Sequence, residues 1–436
     1  MGPYHYCLLL CFVPLSLSKP QLSIGDHVAV VIPPAYETEF QGEATFIDHG
    51  GSAPDFKAVV VVEAERGKYS CSFAVVFGEV KVWKSNHLSR FFVDRTCELE
   101  LTGGGDLRLK DSADRIGWSS GTAGRGVERL QLLKTGNLAL MDKESSIKWQ
   151  TFDHPTDTML WGQSLQASAK LSSFDENSTV IYTFEILHNK LALYLSHNRR
   201  KYSYWQMKIP RDRNISYARL GSAGLKIFDR TLKKMAQILI KHDEKARFLA
   251  LGTTGNLVMY HYESQEGKFM DSFRAINGFC DLPLPCGQFG MCTLSEACLR
   301  MRFSRNGTAV EMVEVEGVST VLMGGSVKNL SKEECTDSCI EDSSCVSVLY
   351  VDGDGFGKEC FSYGLVGGVK QVERESGFHF FVKVSGGEGK KMGLKKRFLI
   401  VGGVVDGLAV CLILGGLFCY FFVFRKRREG LATEIA

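Results

Sequence analysis

A 31-residue repeat constrains this chain more than any other feature. Leu99, Leu101, Gly105, Leu107, Leu109, Asp111 and Trp118 each have a counterpart 31 residues later, at Leu130, Leu132, Gly136, Leu138, Leu140, Asp142 and Trp149. A shared period of this size means one supersecondary unit used more than once. In the second copy, apolar residues alternate through Leu130 and Leu132, a Lys134-Thr135-Gly136-Asn137 turn follows, and Leu138 and Leu140 resume the alternation. That pattern marks a β-hairpin, with Gly and Asn where the turn requires positive φ. Trp83, 35 residues before Trp118, marks the end of a third, divergent unit. Alternating leucines give each unit an apolar side that only its neighbours can cover. Three small sheets about a common axis, tryptophans inward, meet that need.

Two other apolar runs set the compartment. Residues 7–18 have the length of a signal-peptide core, with Ser16-Leu17-Ser18 as a cleavage site, although no Lys or Arg precedes them. Residues 398–424 carry a single charge, Asp406, and are flanked by Lys395-Lys396-Arg397 and Arg425-Lys426-Arg427-Arg428. Such a run reads as a transmembrane helix. Basic residues stand on both sides, so the signal peptide at 1–18 decides orientation. The expectation is a single-pass type I plasma-membrane protein, ectodomain outside, with the tail 425–436 in the cytoplasm. Of 14 cysteines, Cys7 and Cys11 fall in the signal peptide and Cys411 and Cys419 in the span. The remaining ten are even in number, as an oxidised ectodomain requires. N-glycosylation sequons at Asn177, Asn214, Asn306 and Asn329 all lie in that ectodomain. A net charge of +3 gives nucleic acid no electrostatic claim, so none is expected as a partner.

Beyond the repeat, short strands continue, and its signature returns at Leu249-Ala-Leu251 and Gly255-Asn256-Leu257-Val258-Met259-Tyr260. Cys280, Cys286, Cys292 and Cys298 then follow at even spacing. Zinc ligand pairs usually sit two to four residues apart, and the compartment is oxidising, so disulfides are the reading; four cysteines permit three pairings. Ser331-Lys-Glu-Glu334 is a capping box that opens a short helix, on which Cys335 and Cys339 share a face.

With TGNLALMD and KWQTFDHPTDTMLWGQ at its centre, the chain resembles the plant bulb-type lectin domain. The form is that of the S-locus-glycoprotein-like (G-type) lectin receptors, and the likeness runs over nearly the whole ectodomain. It implies a mainly β protein: a β-prism bulb-type lectin domain at 19–163 and a second lectin-like, S-locus-type β region at 164–275. An EGF-like module at 276–300 and a PAN/apple domain at 301–386 would follow, then the transmembrane helix. It also implies the disulfide pairs: Cys71 with Cys97 in the lectin unit, Cys280 with Cys292 and Cys286 with Cys298 in the EGF-like module, and Cys335 with Cys360 and Cys339 with Cys345 in the PAN domain. Ser343 stands where relatives often place a further cysteine.

Bulb lectins read mannose from a strand with Gln, Asp, Asn, Val and Tyr at alternate positions, which share one face. The matching residues here are Thr102, Gly104, Asp106, Arg108 and Lys110; then Leu133, Thr135, Asn137, Ala139 and Met141; then Gly252, Thr254, Asn256, Val258 and Tyr260. No copy keeps the Gln and Asp, so only Asn137, Asn256 and Tyr260 remain as degenerate sugar-binding candidates. Asp352-Gly-Asp354-Gly lacks the oxygen ligands of a calcium loop at Phe356 and Tyr363 and reads as a hairpin turn. Gly121-Thr-Ala-Gly124-Arg-Gly126 lacks the strand–helix context of a phosphate cradle. No protease, hydrolase or kinase motif occurs, so no catalytic residue, metal ligand or cofactor is expected. Asp406, bracketed by Gly403 and Gly407, is a candidate for pairing with a second span, since a carboxylate in the bilayer costs about 3 kcal/mol on insertion scales. The sequence thus describes a cell-surface recognition protein that would signal through a receptor kinase or other membrane partner. A protein or glycan ligand is expected. The rival readings are a working lectin with a different sugar pocket and a structural adhesion protein facing the cell wall.

Overall fold

A computed structural model describes residues 21–48, 50–51, 53–174, 179–209, 214–240, 246–302, 310–353, 357–372 and 377–385. The signal peptide, Asn177, Asn306, and the 398–424 span with Gly403, Asp406 and Gly407 lie outside these residues. Among the described residues, no helix is long and apolar enough to cross a membrane.

The chain is mainly β. Residues 21–150 build three sheets in a nested order. The short strand Gln21–Ser23 pairs with Arg129–Leu132, the first strand of a meander completed by Leu138–Met141 and Ile147–Gln150. His27–Val31 pairs with Thr96–Leu101, ahead of Leu107–Asp111 and Ile116–Ser119. Only the innermost sheet is continuous in sequence, from Gln41–Asp48 through Phe56–Glu65 and Lys68–Phe77 to Val80–Lys84. The repeat fixes the register: Leu130 faces Leu140 and Leu132 faces Leu138 across the 133–137 turn, as Leu99 faces Leu109 across the earlier one. These leucines are fully buried. Trp83, Trp118 and Trp149 meet edge to face, with ring centroids 5.5–6.4 Å apart, where the three sheets converge.

The innermost sheet is buried on both faces. Val59, Val61, Ala74 and Val76 form an apolar strip on its outer side. Lys57 pairs with Glu43, and Lys81 and Lys84 with Glu63, on the same sheet, so alkyl stems can cover the strip while the charges stay in water.

Residues 158–274 repeat the nesting. Thr158–Leu160 pairs with Ala246–Leu251, followed by Leu257–Glu263 and Lys268–Arg274. Ser164–Gln166 pairs with Ile215–Gly221, followed by Gly224–Asp229 and Lys234–Leu239. Lys170–Phe174, Ile181–Ile186, Lys190–His197 and Arg200–Lys208 form the continuous inner sheet. Thr158–Leu160 thus pairs within the second set of sheets, although it lies before residue 163. The two prisms share a seam in which Phe56 stacks on Phe77, Phe77 meets Phe269, and Trp83 Nε1 donates to the His154 carbonyl at 2.7 Å.

After the prisms, the hairpin Gly290–Cys292 and Cys298–Arg300 carries disulfides to Cys280 and Cys286. It does not stand alone. Gly290–Cys292 runs parallel to Val369–Gln371, which also pairs with Val318–Thr320, so residues on both sides of position 300 share one sheet. The helix α1, Lys332–Glu341, lies against a second sheet of Val310–Val315, Phe378–Ser385, Ser347–Gly353, Gly357–Tyr363 and Ser326–Lys328. Ser331 and Glu334 form the capping box, and disulfides join Cys335 to Cys360 and Cys339 to Cys345. At the other end of α1, Lys383 Nζ donates to the carbonyls of Cys339, Ile340 and Asp342, where the helix dipole favours a cation.

This end docks on the second prism along Arg200–Lys208. Ser203 and Met323 exchange backbone hydrogen bonds, and the Tyr202 hydroxyl accepts from the Gly364 amide at 2.7 Å. Arg200 reaches Asp342, Ser344 and Ser362. The Ser344 hydroxyl and amide, with Arg200 behind them, hold the Asp342 carboxyl down at about 2. A depressed carboxylate stabilises the fold above its unfolded pKa of about 4 and loses that contribution as pH falls towards 2. Asp342→Asn is therefore expected to flatten the stability profile between pH 4 and pH 2, read by tryptophan fluorescence during acid titration. An unchanged profile would remove Asp342 from the acid response.

Candidate functional site

The sugar-reading positions were expected along a strand, yet here they begin in a turn. Strands end at Leu101, Leu132 and Leu251 and resume at Leu107, Leu138 and Leu257, so the first three positions of each copy occupy the connection. The cause is local: Gly105, Gly136 and Gly255 adopt φ of 78°, 81° and 82°, and the chain reverses there. In the second copy, the Leu133 amide donates to the Asn137 carbonyl and the Gly136 amide to that of Leu133.

Asn137 is 4% exposed. Its Nδ2 donates to Gln150 Oε1 at 2.7 Å, while its Oδ1 accepts from Thr151 Oγ1 and the Phe152 amide at 3.2 Å. Asn256 is also buried: its Nδ2 donates to the Ile276 carbonyl at 2.7 Å and its Oδ1 accepts from the Ile276 amide at 3.1 Å. In the first copy the same role falls to Asp106, which accepts from Arg108 Nε, the hydroxyls of Ser119 and Ser120, and the Thr122 amide. Burial alone would raise the Asp106 pKa; those donors outweigh it and lower it. Tyr260 is half-buried and stacks on Phe248 with ring centroids 4.8 Å apart. Burial raises its pKa, with Arg274 opposing and Asp271 adding to the effect. Asp106, Asn137 and Asn256 therefore join each turn to the end of the third strand or the chain just beyond it, and their polar groups are bonded inward. A sugar would have to break those bonds.

Asn137→Ala is expected to cost about 1–3 kcal/mol, because the buried Thr151 hydroxyl, the Phe152 amide and Gln150 Oε1 each lose a partner. Chemical denaturation measures this; a loss below about 0.5 kcal/mol would show that water replaces the amide.

A companion device escaped sequence reading. Amides of Phe73, Leu107 and Leu138 each donate at 3.0 Å to the hydroxyls of Ser85, Ser120 and Thr151. Each acceptor stands two residues after a core tryptophan, so Trp-x-Ser/Thr was the available signal. Asp111 and Asp142 of the repeat likewise accept turn amides, from Ala113 and Arg115 and from Ser146. Lys148 also pairs with Asp142 and lowers its carboxyl pKa.

The remaining candidates fall apart in space. His154 stacks on Trp149, and Asp157 accepts from the Thr156 and Thr158 hydroxyls. Asp352 pairs with Lys358 in an antiparallel hairpin. Among the described residues no cluster of metal-ligating side chains occurs. Asn214 and Asn329 are exposed, Asn329 at φ 61°. Cys71 and Cys97 are joined across the first prism, with Cα atoms 6.1 Å apart.

The class this defines is a disulfide-bonded, lectin-scaffold protein with a PAN-like end. Comparison with known proteins agrees: residues 81–177 match the D-mannose binding lectin family and residues 312–384 the PAN-like domain. A G-type lectin S-receptor-like serine/threonine-protein kinase of Arabidopsis thaliana, SD2-5, is 24% identical over 62% of this chain and 36% of its own length. A PAN domain-containing protein of Arabidopsis thaliana is 24% identical over 76% of this chain and 72% of its own. A monomeric mannose-binding lectin from Gastrodia elata aligns with 30% of this chain and 96% of its own, at 17% identity and a TM-score of 0.20. The chain carries a bulb-type lectin domain and a PAN-like domain, and its homologues are G-type lectin S-receptor-like proteins. It spans about a third of the length of that receptor kinase.

Proposed function

We propose that this protein is a membrane-anchored recognition protein of the cell surface, built on a lectin scaffold whose mannose positions have become structural. The observation that carries the reading is the inward bonding of Asn137 and Asn256. The reading places a bulb-type lectin domain at 19–163, an S-locus-type region at 164–275, an EGF-like module at 276–300, a PAN domain at 301–386 and an anchor at 398–424. The five disulfides suit an oxidising exterior. The lectin and PAN-like domains support action by binding, with a receptor kinase or other membrane partner passing the signal on.

Two measurements test this. Proximity labelling from the intact protein should recover a kinase-bearing neighbour; none across several tissues would sink the partner half. A glycan array should show no mannose-competed binding, and saturable binding that mannose competes would sink the structural-turn half.

A further inference from the structure

One sheet of the second prism carries a charge pattern that its counterpart lacks. In Ile215–Gly221 and Gly224–Asp229, Ala218, Leu220, Leu225 and Ile227 are fully buried. The alternate residues Tyr217, Arg219, Lys226 and Phe228 therefore face outward. Register brings Tyr217 opposite Phe228 and Arg219 opposite Lys226. The two rings stack with centroids 4.9 Å apart and planes 12° apart, and the Arg219 guanidinium lies over Tyr217 at 5.7 Å. Lys234 stands opposite Phe228 on the next strand. The result is an aromatic pair set among three cations.

Among the described residues, nothing on this face neutralises them. Residues 214–240 contain Arg219, Lys226, Arg230, Lys233 and Lys234 against one carboxylate, Asp229. Asp229 is 4% exposed, and its Oδ1 accepts from the Thr231 amide and hydroxyl and the Lys233 amide. Among the described residues Arg219, Lys226 and Lys234 form no ion pair; Arg219 Nε donates to the Ser164 hydroxyl instead. The topologically equivalent sheet of the first prism is balanced: Lys110 there lies within 4 Å of Glu98, Glu100 and Asp114.

We propose that this face binds an acidic polysaccharide. A polyuronate presents one carboxylate per sugar, which cations on adjacent strands, about 4.8 Å apart, can meet in succession. Its sugar rings present C–H groups with slight positive charge, which the electron-rich face of Phe228 turned away from Tyr217 attracts. The face is built of strands and has no amphipathic helix to enter a bilayer. Disulfides place the chain where polysaccharide is met and nucleic acid is not. The site lies on a different sheet from the sugar positions, and its binding is read without a signalling partner, so it can hold or fail independently of the proposed function.

The test is titration of the full-length chain, in neutral detergent, against immobilised polygalacturonate. Methyl-esterified polygalacturonate, mannan, double-stranded DNA and phosphatidylserine vesicles serve as comparators. Expected results are binding that esterification abolishes, a drop of at least tenfold for Arg219→Gln with Lys226→Gln, and a drop of about fivefold for Phe228→Ala. Lys57→Ala, on the first prism, should leave affinity unchanged. If Phe228→Ala does not fold, Arg219→Glu with Lys226→Glu at outward positions reads the same face, and should abolish binding. No binding to polygalacturonate, binding unmoved by the paired variants, or equal binding to DNA or vesicles would each overturn the proposal. The mannan arm reports separately on the turn asparagines.

Discussion

Trp149→Ala is expected to destabilise the first prism by about 3–5 kcal/mol, the range for emptying a buried large aromatic. The ring is 8% exposed. It touches Trp118 at 5.5 Å, Trp83 at 5.9 Å and the His154 ring at 5.4 Å. Since each tryptophan belongs to a different sheet, removing one leaves a void where three sheets meet, and none can move in without dragging its hairpin. Denaturant unfolding followed by near-UV circular dichroism measures the loss. A cost below about 1 kcal/mol would mean that the sheets hold one another by their leucines alone. Trp149→Phe should recover part of it.

The second large effect is at Gly136. Its φ of 81° is in the left-handed region, where a side chain costs about 1–2 kcal/mol. A Cβ there would also overlap the Phe56 ring and approach Leu160 Cδ1 at 2.7 Å. Overpacking of that kind adds about 1–3 kcal/mol. Gly136→Ala should therefore cost about 2–5 kcal/mol. Gly121→Ala is the control: φ is 66° but nothing lies within 4 Å of the added atom, so only the backbone cost remains. Equal losses at the two sites would show that the contact with Phe56 relaxes freely.

The first prism was legible because its information is local. A period of 31, alternating leucines and three tryptophans define hairpins whose partners are near in sequence. The second prism was only glimpsed, through Gly255-Asn256-Leu257. Its strands Thr158–Leu160 and Ser164–Gln166 are three residues long, too short to show a period, and their partners come from Ala246–Leu251 and Ile215–Gly221. The same limit hid the sheet that joins Gly290–Cys292 to Val369–Gln371. At the sugar positions, sequence identified the asparagines but not what they hold. Gln150 and Ile276 are reached only after a further strand and turn, and no local pattern reports such bonds. The Trp-x-Ser/Thr recurrence could have revealed part of that network.

Nested pairing also dictates an order of assembly while the polypeptide is still being made. Leu22 emerges early but must wait for Leu130, its partner on the closing sheet. At about 5–20 residues per second, that wait lasts roughly 5–20 s. The inner sheet can form from neighbouring hairpins at once, whereas the outer two add in sequence, each capturing a strand synthesised long before. Until the last hairpin arrives, leucine-lined edges stay unpaired and open to wrong partners. A chain interrupted before residue 129 therefore yields no smaller prism, only two sheets whose shared apolar side is left uncovered. The second prism repeats the wait, with Met159 held for Leu249. Such a protein makes two successive demands on the chaperones of the compartment that folds it.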